Sequence, residues 1–482
     1  MVSSTLRCFS VLRRLVSRSL ILCLAAFLLS SCATVTEEEF TPGRGVTELT
    51  DELTPAGINY SLAFMPDAER ISLHVVWPNR WVHENNKAVA SSLGVDLLSS
   101  GGAGDRSAKR ITKDITALGS AASLEATPDH VYGTFTATPV AMAETLSIMR
   151  DIIVEPELSE SGFVALKDAL MKRVESRQQQ ASARLWSVTR HALLGDSSLT
   201  EYWNNTPLER VVTAVTLNDI QQWRENTFVR EGATVAIAGN ITPDSAAGFI
   251  DQLFADLPSK ANTETTDPLQ FDVKTGFTLL LHDEQATNTL IAVIGLLPPS
   301  SDGDEVADIV AVGALGQGKD SRLGQARQTE LSDAPPINAS IANFNRQIRV
   351  FGMNAVVPND TAIDTFALIK KTYKAFKLAD LNDQDVLRAA VPFANSVRNN
   401  GSRVDRIVYG LGQLILDDLP KGQLLTVTQD SLSLRAEDIN QRIAERYPDW
   451  DSLIKVIMTS DEKLIAADCV INGIEGLSQC DF

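Results

Sequence analysis

Runs of apolar residues predict two pairs of strands, one pair near the start of the chain and one beyond its middle. The runs GINYSLAFM and RISLHVVW begin at residues 57 and 70, and GFTLLLHD and NTLIAVIGLL begin at residues 276 and 288. Such runs, rich in β-branched and aromatic residues, are typical of strands. A stretch of helix-forming residues follows the first pair and ends at Gly101-Gly102, which predicts a helix that stops there.

The order of predicted elements then repeats. Each copy continues with a strand, a turn at a proline, an amphipathic helix, further helices and a last short apolar strand. Three landmarks of the two copies are separated by the same 219 residues: Gly133 and Gly352, Pro139 and Pro358, and Asp219-Ile220 and Asp438-Ile439. A shared spacing at three points predicts a duplicated unit of roughly 200 residues, which is too long for a solenoid repeat.

Strands and helices mix in both copies without strict alternation. This predicts an α+β fold of two tandem homologous domains, each a mixed or antiparallel sheet with helices packed on one face. The polar segment PSKANTETTDP, with proline at both ends, predicts the connection between them. We therefore expect one domain at 47–258, a linker at 259–269 and a second domain at 270–482.

Residues 1–31 have the composition of an export signal. They contain four arginines and no acidic residue, followed by the apolar run LILCLAAFLL, which is too short for a comfortable membrane span. The sequence Leu29-Ser30-Ser31-Cys32 looks like a bacterial lipobox, so we predict that Cys32 becomes the lipidated first residue. The alternative is an ordinary secretory signal with a chance cysteine. Residues 32–46 are predicted to form a flexible tether.

Charge and cysteine content restrict the partners and the compartment. The formal net charge of −18 becomes −22 when the four signal arginines are removed, and such a chain is repelled by nucleic acid and anionic headgroups. Resemblance to enterobacterial lipoproteins, with Ala33 rather than aspartate after the lipobox, favours the outer membrane, facing the periplasm. Cys469 and Cys480 remain after processing, and an even pair in an oxidising compartment predicts a disulfide.

The order strand, helix, strand, two helices, TLNDI..W and VAIAGN resembles the insulinase/pitrilysin family of metallopeptidases, the inverzincins. The resemblance covers about 47–482 and implies tandem domains like those of the mitochondrial processing peptidase. In active members the first helix carries H-x-x-E-H, whose histidines bind zinc while the glutamate acts as general base. Family members often work as pairs of such chains that close around a peptide chamber.

The resemblance places the zinc motif on residues that cannot perform its chemistry. Alignment on the two glycines that end the helix puts the histidine positions on Ser92 and Asp96, the base on Val95, and the third ligand on Arg173. Val95 cannot transfer a proton, Ser92 is a poor ligand, and Arg173 repels a dication. We predict no metal, no zinc cofactor and no catalytic residue here. Either an Asp96–Arg173 salt bridge replaces the metal, or both side chains face solvent.

Two other motifs are not functional sites. His83-Glu84 is not a zinc motif, because H-E-x-x-H needs histidine where Lys87 stands. The stretch GALGQGKDS differs by one residue from a phosphate-binding loop, but Asp320 replaces the hydroxyl residue, and the preceding segment predicts a helix instead of the required strand. By resemblance it is the glycine-rich turn of the second domain. In some partner subunits of the family an arginine and a tyrosine follow this turn; here Arg327 has no such tyrosine.

The sequence therefore predicts a membrane-anchored periplasmic non-catalytic subunit of an insulinase-family zinc peptidase. It would form a peptide-binding chamber with an active H-x-x-E-H partner and lack activity on its own. The alternative is a peptide-binding or scaffold lipoprotein of the cell envelope with no peptidase partner. An enzyme of another class is disfavoured, because no Ser-His-Asp, Cys-His or carboxylate dyad has local support in the sequence.

Overall fold

The computed structural model describes residues 45–80, 89–195, 200, 209–262, 273–378 and 381–481. Four sequence predictions fall wholly or mainly outside these ranges: the export signal, lipidation at Cys32, the tether, and the reading of His83-Glu84. Much of the predicted linker does so as well. Within the described ranges, no helix has both the length and the apolar character that crossing a membrane requires.

The first half, which comprises the described residues before 263, contains one six-stranded sheet. Its strands are β1 Glu48–Leu53, β2 Asn59–Phe64, β3 Ile71–Pro78, β4 Ala121–Ala126, β5 His130–Ala137 and β6 Thr234–Gly239. Its helices are α1 Ala90–Ser100, α2 Ala108–Ala117, α3 Pro139–Val154, α4 Glu160–Gln178, α5 Ala181–Leu194, α6 Glu209–Ala214, α7 Leu217–Thr227 and α8 Pro243–Phe254. The strands pair in the order β1-β2-β6-β3-β5-β4, with β2 and β6 parallel.

The second half, which comprises the described residues from 273 onward, contains another six-stranded sheet. Its strands are β7 Thr278–His282, β8 Asn288–Leu297, β9 Asn338–Asn343, β10 Arg349–Pro358, β11 Ile454–Thr459 and β12 Cys469–Ile471. Its helices are α9 Glu305–Gly316, α10 Arg322–Glu330, α11 Ala362–Lys377, α12 Asp383–Asn400, α13 Val404–Leu416, α14 Gln423–Ser433 and α15 Ala436–Arg446. The strands pair in the order β12-β7-β11-β8-β10-β9, with β7 and β11 parallel.

Five strands of each sheet have the same order and directions. The series β2-β6-β3-β5-β4 corresponds to β7-β11-β8-β10-β9, and the parallel pair is in the same place in both. The predicted α+β fold with two tandem homologous domains is confirmed. The sixth strands differ, because β1 precedes the repeat and β12 follows it. Neither was predicted: β1 reads ELTDEL, without an apolar run, and β12 has only three residues.

The inner face of each sheet packs on helices of its own half, as predicted. Side chains of β3 and β5 meet side chains of α1, α3, α7 and α8 in one core that includes Leu73, Trp77, Leu93, Ile148, Ile220 and Ile250. The second half has an equivalent core that includes Val293, Val310, Phe351, Ile369 and Ile439. Burial of these apolar stripes is the main stabilising contribution to each half.

The outer face of each sheet is covered by one helix from the other half. Helix α13 of the second half packs on the first sheet through Val404, Ile407, Val408 and Leu411. Helix α5 of the first half packs on the second sheet through Leu185, Val188 and Ala192. The apolar stripe of a helix shows that it is buried, but not against which sheet, so the sequence did not predict this exchange.

One landmark of the repeat pairs residues that face opposite ways. Gly133 lies on the inner face, where a Cβ atom would be 2.7 Å from the ring of Phe135. Gly352 lies on the outer face, near Trp186 of α5. Because side chains alternate along a strand, a shift of one residue exchanges the two faces. Strand β5 corresponds to β10 at a spacing of 220, which pairs the outward-facing His130 with Val350, whereas Asp219 and Asp438 keep 219.

Candidate functional site

Helix α1, where the family carries its zinc motif, is held in place by a close contact with α7. Gly94 lies against the indole of Trp223, so that a Cβ atom there would be 2.3 Å from the ring. The indole Nε1 donates a hydrogen bond of 2.9 Å to Asn79 Oδ1. Only glycine permits this approach of backbone to ring. The motif TLNDI..W contained the tryptophan, but its partner at Gly94 could not be identified from the sequence.

The four positions that the resemblance assigns to the zinc site lie on α1 and α4, which pack against each other. Ser92 uses its hydroxyl within the helix and donates to the Val89 carbonyl at 3.0 Å. Val95 is buried, whereas Asp96 and Arg173 are exposed. Valine at the position assigned to the general base has no ionisable group, and the carboxylate of Asp96 and the guanidinium of Arg173 have opposite charges.

Asp96 and Arg173 influence each other without a direct bond. Neighbouring protein atoms reduce the hydration of Asp96 and raise the pKa of its carboxyl group, while the positive charge of Arg173 opposes this rise. Both residues are described, and no salt bridge joins them. Of the two alternatives drawn from the sequence, the structure therefore favours two side chains that face solvent.

The histidines of the described residues lie elsewhere in the fold. His74 and His130 are on β3 and β5, His191 is on α5, and His282 is on β7. Within the part of the chain that the structure describes, no group of three or more histidine, cysteine, aspartate or glutamate side chains is placed to hold a metal ion. The absence of zinc from the protein itself stays a prediction.

An open strand edge lies beside this site. Among the described strands, β4 pairs with β5 alone and ends the first sheet, and α1 packs next to it. Strand β4 reads AASLEA: Leu124 is buried, and the other side chains are small or polar and at least partly exposed. The unpaired backbone groups of such an edge can bind an extended peptide by adding it as a further strand.

Lys167 fixes the helix that carries Arg173. Its ammonium group donates to the carbonyls of Thr213 and Val215 at 2.7 and 2.8 Å, and so caps the carboxyl end of α6. Burial lowers the pKa of Lys167, although Asp219 and Glu160 oppose the shift. This contact could not be predicted from the sequence, because a lysine in a polar helix usually faces solvent.

The glycine-rich turn of the second half follows a helix, as predicted. Helix α9 ends at Gly316, Gly318 has a φ of +79°, and Ser321 caps α10 by accepting a hydrogen bond of 3.1 Å from Gly324 N. A phosphate-binding loop would follow a strand. Arg327 donates to the carbonyls of Ser332 and Ala334 at 3.1 and 2.9 Å, so its guanidinium serves its own loop.

The two remaining cysteines are bonded. The Sγ atoms of Cys469 and Cys480 are 1.99 Å apart and their Cα atoms 5.6 Å apart, which is the geometry of a disulfide. Cys469 begins β12, and Cys480 follows the 3₁₀-helix Ile474–Gln479, which packs on α5. The bond thus closes a short segment that adds an edge strand to the second sheet and contacts the helix exchanged from the first half.

Comparisons with known proteins agree with this architecture. A family model described as the peptidase M16 inactive domain matches residues 214–390. No curated protein matches the chain significantly. A peptidase M16 inactive domain from Pseudomonas fluorescens is similar in structure, with a TM-score of 0.74 and 14% identity over 85% of this chain and 98% of that one. A protease from Helicobacter pylori has a TM-score of 0.70 and 15% identity, over 86% and 99%.

A third relative differs in length. The first half of the periplasmic protease PqqL from Escherichia coli has a TM-score of 0.66 and 13% identity, over 90% of this chain and 97% of that half. Compared with the whole of PqqL, the chain spans 50% of its length. The sequence of 482 residues contains no H-x-x-E-H. The match over 214–390 and the shared fold relate the chain to the inactive domains of the insulinase/pitrilysin (M16) family of peptidases.

Proposed function

We propose that this protein is the non-catalytic subunit of a two-chain zinc peptidase. It would form one wall of a peptide-binding chamber, and a homologue with an intact H-x-x-E-H would form the other. The proposal rests on the packing of α1 and on the chemistry of its side chains. The helix remains packed between α4, α7 and the open edge of β4, while its own side chains cannot bind zinc or activate water.

The chemistry of the four positions supports binding without cleavage. Val95 has no proton to exchange, and the guanidinium of Arg173 carries a permanent positive charge on the helix where the third ligand would stand. A peptide that pairs with β4 would pass α1 without meeting a nucleophile. Retained function in this half is therefore recognition of an extended backbone, which needs main-chain groups and no catalytic side chain.

The relation to PqqL supports a second half. PqqL is a periplasmic protease whose single chain is about twice the length covered by this protein. In PqqL the half that matches this chain is joined to a second half. We infer that this protein also acts beside a second half, here a partner whose zinc site supplies the missing catalysis.

The export signal and lipobox support a location on the periplasmic side of the outer membrane. Lipid on Cys32 would anchor the protein, and the tether would hold the folded part away from the bilayer. The charge of −22 that remains after removal of the signal would keep the protein off anionic headgroups. Peptides in the periplasm would then be the substrates of the complex.

The test compares cleavage of unstructured peptides by three samples: this chain alone, the zinc-bearing homologue alone, and their mixture. We expect no turnover from this chain alone and stronger turnover from the mixture than from the homologue. A peptide with alternate N-methylated residues serves as the control, because it cannot add to a strand edge and should be spared. If the mixture is no more active and no complex forms at micromolar concentration, the scaffold function becomes the better account.

A further inference from the structure

The two exchanged helices rest on chemically different surfaces. Helix α5 covers an apolar face of the second sheet that includes Ala292 and Val350. Strand β5 corresponds to β10 at a spacing of 220 residues and β3 to β8 at a spacing of 218, so the corresponding positions of the first sheet are His130 and His74, which lie beside and under α13. We call each contact between an exchanged helix and the sheet it covers a joint. The joint between α13 and the first sheet therefore contains two titratable side chains where the joint between α5 and the second sheet contains two aliphatic ones.

His74 is enclosed completely. Its side chain is 0% exposed, and its Nδ1 lies 2.8 Å from the hydroxyl of Thr134. Its Nε2 has no hydrogen-bond partner among the described residues. The backbone of α13 passes directly over the ring, since a Cβ atom at Gly412 would be 2.8 Å from His74 Cδ2. A second ring proton would have no acceptor while the helix stays in place.

His130 is in a similar position at the end of β5. Its Nδ1 also lacks a partner within the described chain, and its ring stands 6.1 Å from that of Tyr132. Burial lowers the pKa of both histidines to about 4, and for His130 the nearby charge of Arg346 adds to the effect. Both rings are therefore neutral near neutral pH.

The cation next to His130 is bound to α13. The guanidinium of Arg346 donates to Gln413 Oε1 and to the Gln413 carbonyl at 2.6 and 3.1 Å, and it pairs with Asp417. The Arg346 amide donates to Asp129 at 2.9 Å. A protonated His130 would repel the guanidinium that holds the end of the helix.

The other elements around this layer contribute apolar side chains and several titratable groups. Strand β6 contributes the apolar Ala236 and Ala238. Titratable groups that face the layer from β4, β5, α9, α13 and the adjoining loops are Glu125, Asp129, Tyr132, Glu305, Tyr409 and Asp417. Burial raises the pKa of Asp129, so this carboxyl takes up a proton in acid and ceases to compensate a cation.

We propose that the joint between α13 and the first sheet is acid-sensitive: protonation of His74 and His130 releases α13 from the first sheet, while α5 stays on the second. Acid would thus loosen one of the two links between the halves and leave the other. The proposal uses the difference between the two sheets, which have His74 and His130 in one and Ala292 and Val350 in the other, and it does not depend on a partner chain.

Hydrogen-exchange mass spectrometry of the full mature chain at pH 7 and pH 5, corrected for intrinsic exchange rates, tests the proposal. We expect protection of 404–416 to fall by at least about tenfold at pH 5, and protection of 181–194 to change by less than about twofold. In the double variant His74→Gln and His130→Gln, which keeps polar side chains of similar size, the loss in 404–416 should disappear. Equal losses in the two helices, or an undiminished loss in the variant, would overturn the proposal.

If the double variant does not fold, carbon-13 NMR titration of the histidine rings in the unaltered protein gives an independent answer. If the joint is acid-sensitive, the signals of His74 and His130 should begin to titrate only at the pH at which the signals of α13 change as well. Titration of both rings at an ordinary histidine pKa of about 6.5, with α13 unchanged, would contradict the acid-sensitive joint.

Discussion

Gly94 of α1 and Trp223 of α7 are packed so closely that a Cβ atom on the glycine would lie 2.3 Å from the indole ring. The tryptophan is buried and hydrogen-bonded to Asn79, so it cannot turn away without losing that bond. This contact fixes the helix to which the resemblance assigns the zinc motif.

The substitution Gly94→Ala should therefore destabilise the protein by about 1–3 kcal/mol, because the extra methyl overpacks the contact. Chemical denaturation measures the change. The control is Gly248→Ala in α8, where a Cβ atom meets nothing within 4 Å. That variant should be neutral or more stable by up to about 1 kcal/mol, since alanine is the better helix former. Equal effects at the two positions would show that the contact is not as close as described.

The fold could be predicted largely from apolar patterns and the repeat. Helix caps such as Asp219 and Asp438 mark corresponding points of the two halves, and they keep their spacing in the structure. Gly133 and Gly352 do not occupy equivalent positions, because side chains alternate along a strand and a shift of one residue moves a side chain to the other face of the sheet. A repeat read from single residues thus locates the domains but not the orientation of every side chain.

Contacts between distant elements could not be predicted. The histidines are scattered along the sequence. In the structure, β3 and β5 are neighbours in the sheet and bring His74 and His130 to one layer. The same holds for α13, whose apolar stripe fits any apolar face. The four positions of the zinc site were placed by resemblance, and their side chains do lie on two packed helices. That no salt bridge joins Asp96 and Arg173 could be seen only in the structure.

We predict that the purified mature protein binds no stoichiometric zinc. The reason is the set of side chains at Ser92, Val95, Asp96 and Arg173, which offers one carboxylate and one cation instead of three ligands. Elemental analysis after gentle purification measures the metal content. About one zinc per chain, lost in Asp96→Ala, would overturn the assignment of these positions.

The same assignment predicts a gain of function in metal binding. Positions 92 and 96 are one helical turn apart, so the changes Ser92→His and Asp96→His place two imidazoles on one face of α1. Together with Arg173→Glu they should create a zinc site that the natural protein lacks. The double variant that retains Arg173 is the matched control and should bind zinc more weakly. If the triple variant takes up no zinc in a dialysis titration, the register of the site is wrong.

Acid should lower the stability of the folded chain. The pKa of His74 and of His130 is about 4 in the folded state, compared with an ordinary value of about 6.5. Between these values the unfolded chain binds more protons, so the free energy of unfolding falls as the pH decreases from about 6.5 to about 4. The two histidines together should account for a loss on the order of a few kcal/mol.

Denaturant titrations at a series of pH values measure this dependence. Asp129 acts in the opposite direction because burial raises its pKa, and the double variant His74→Gln and His130→Gln separates the two effects. The slope of stability against pH should become shallower in that variant. An unchanged slope would assign the acid dependence to other groups.

The substitution Cys32→Ala should release the protein from the membrane without altering its thermal unfolding. The predicted tether separates the lipid from β1, so the packed cores should not be affected. Fractionation of cells and a thermal melt of the released protein measure the two properties. Retention of the variant in the membrane fraction would mean that the folded surface, not the lipid, provides the attachment.

Native mass spectrometry of this chain mixed with the zinc-bearing homologue measures association and metal content together. We predict a complex of one copy of each chain with a single zinc, and a free form of this chain without metal. The homologue with both motif histidines replaced by alanine should still associate, but without zinc. Two unassociated chains at micromolar concentration, or zinc carried by this chain itself, would contradict its role as the non-catalytic half of a paired peptidase.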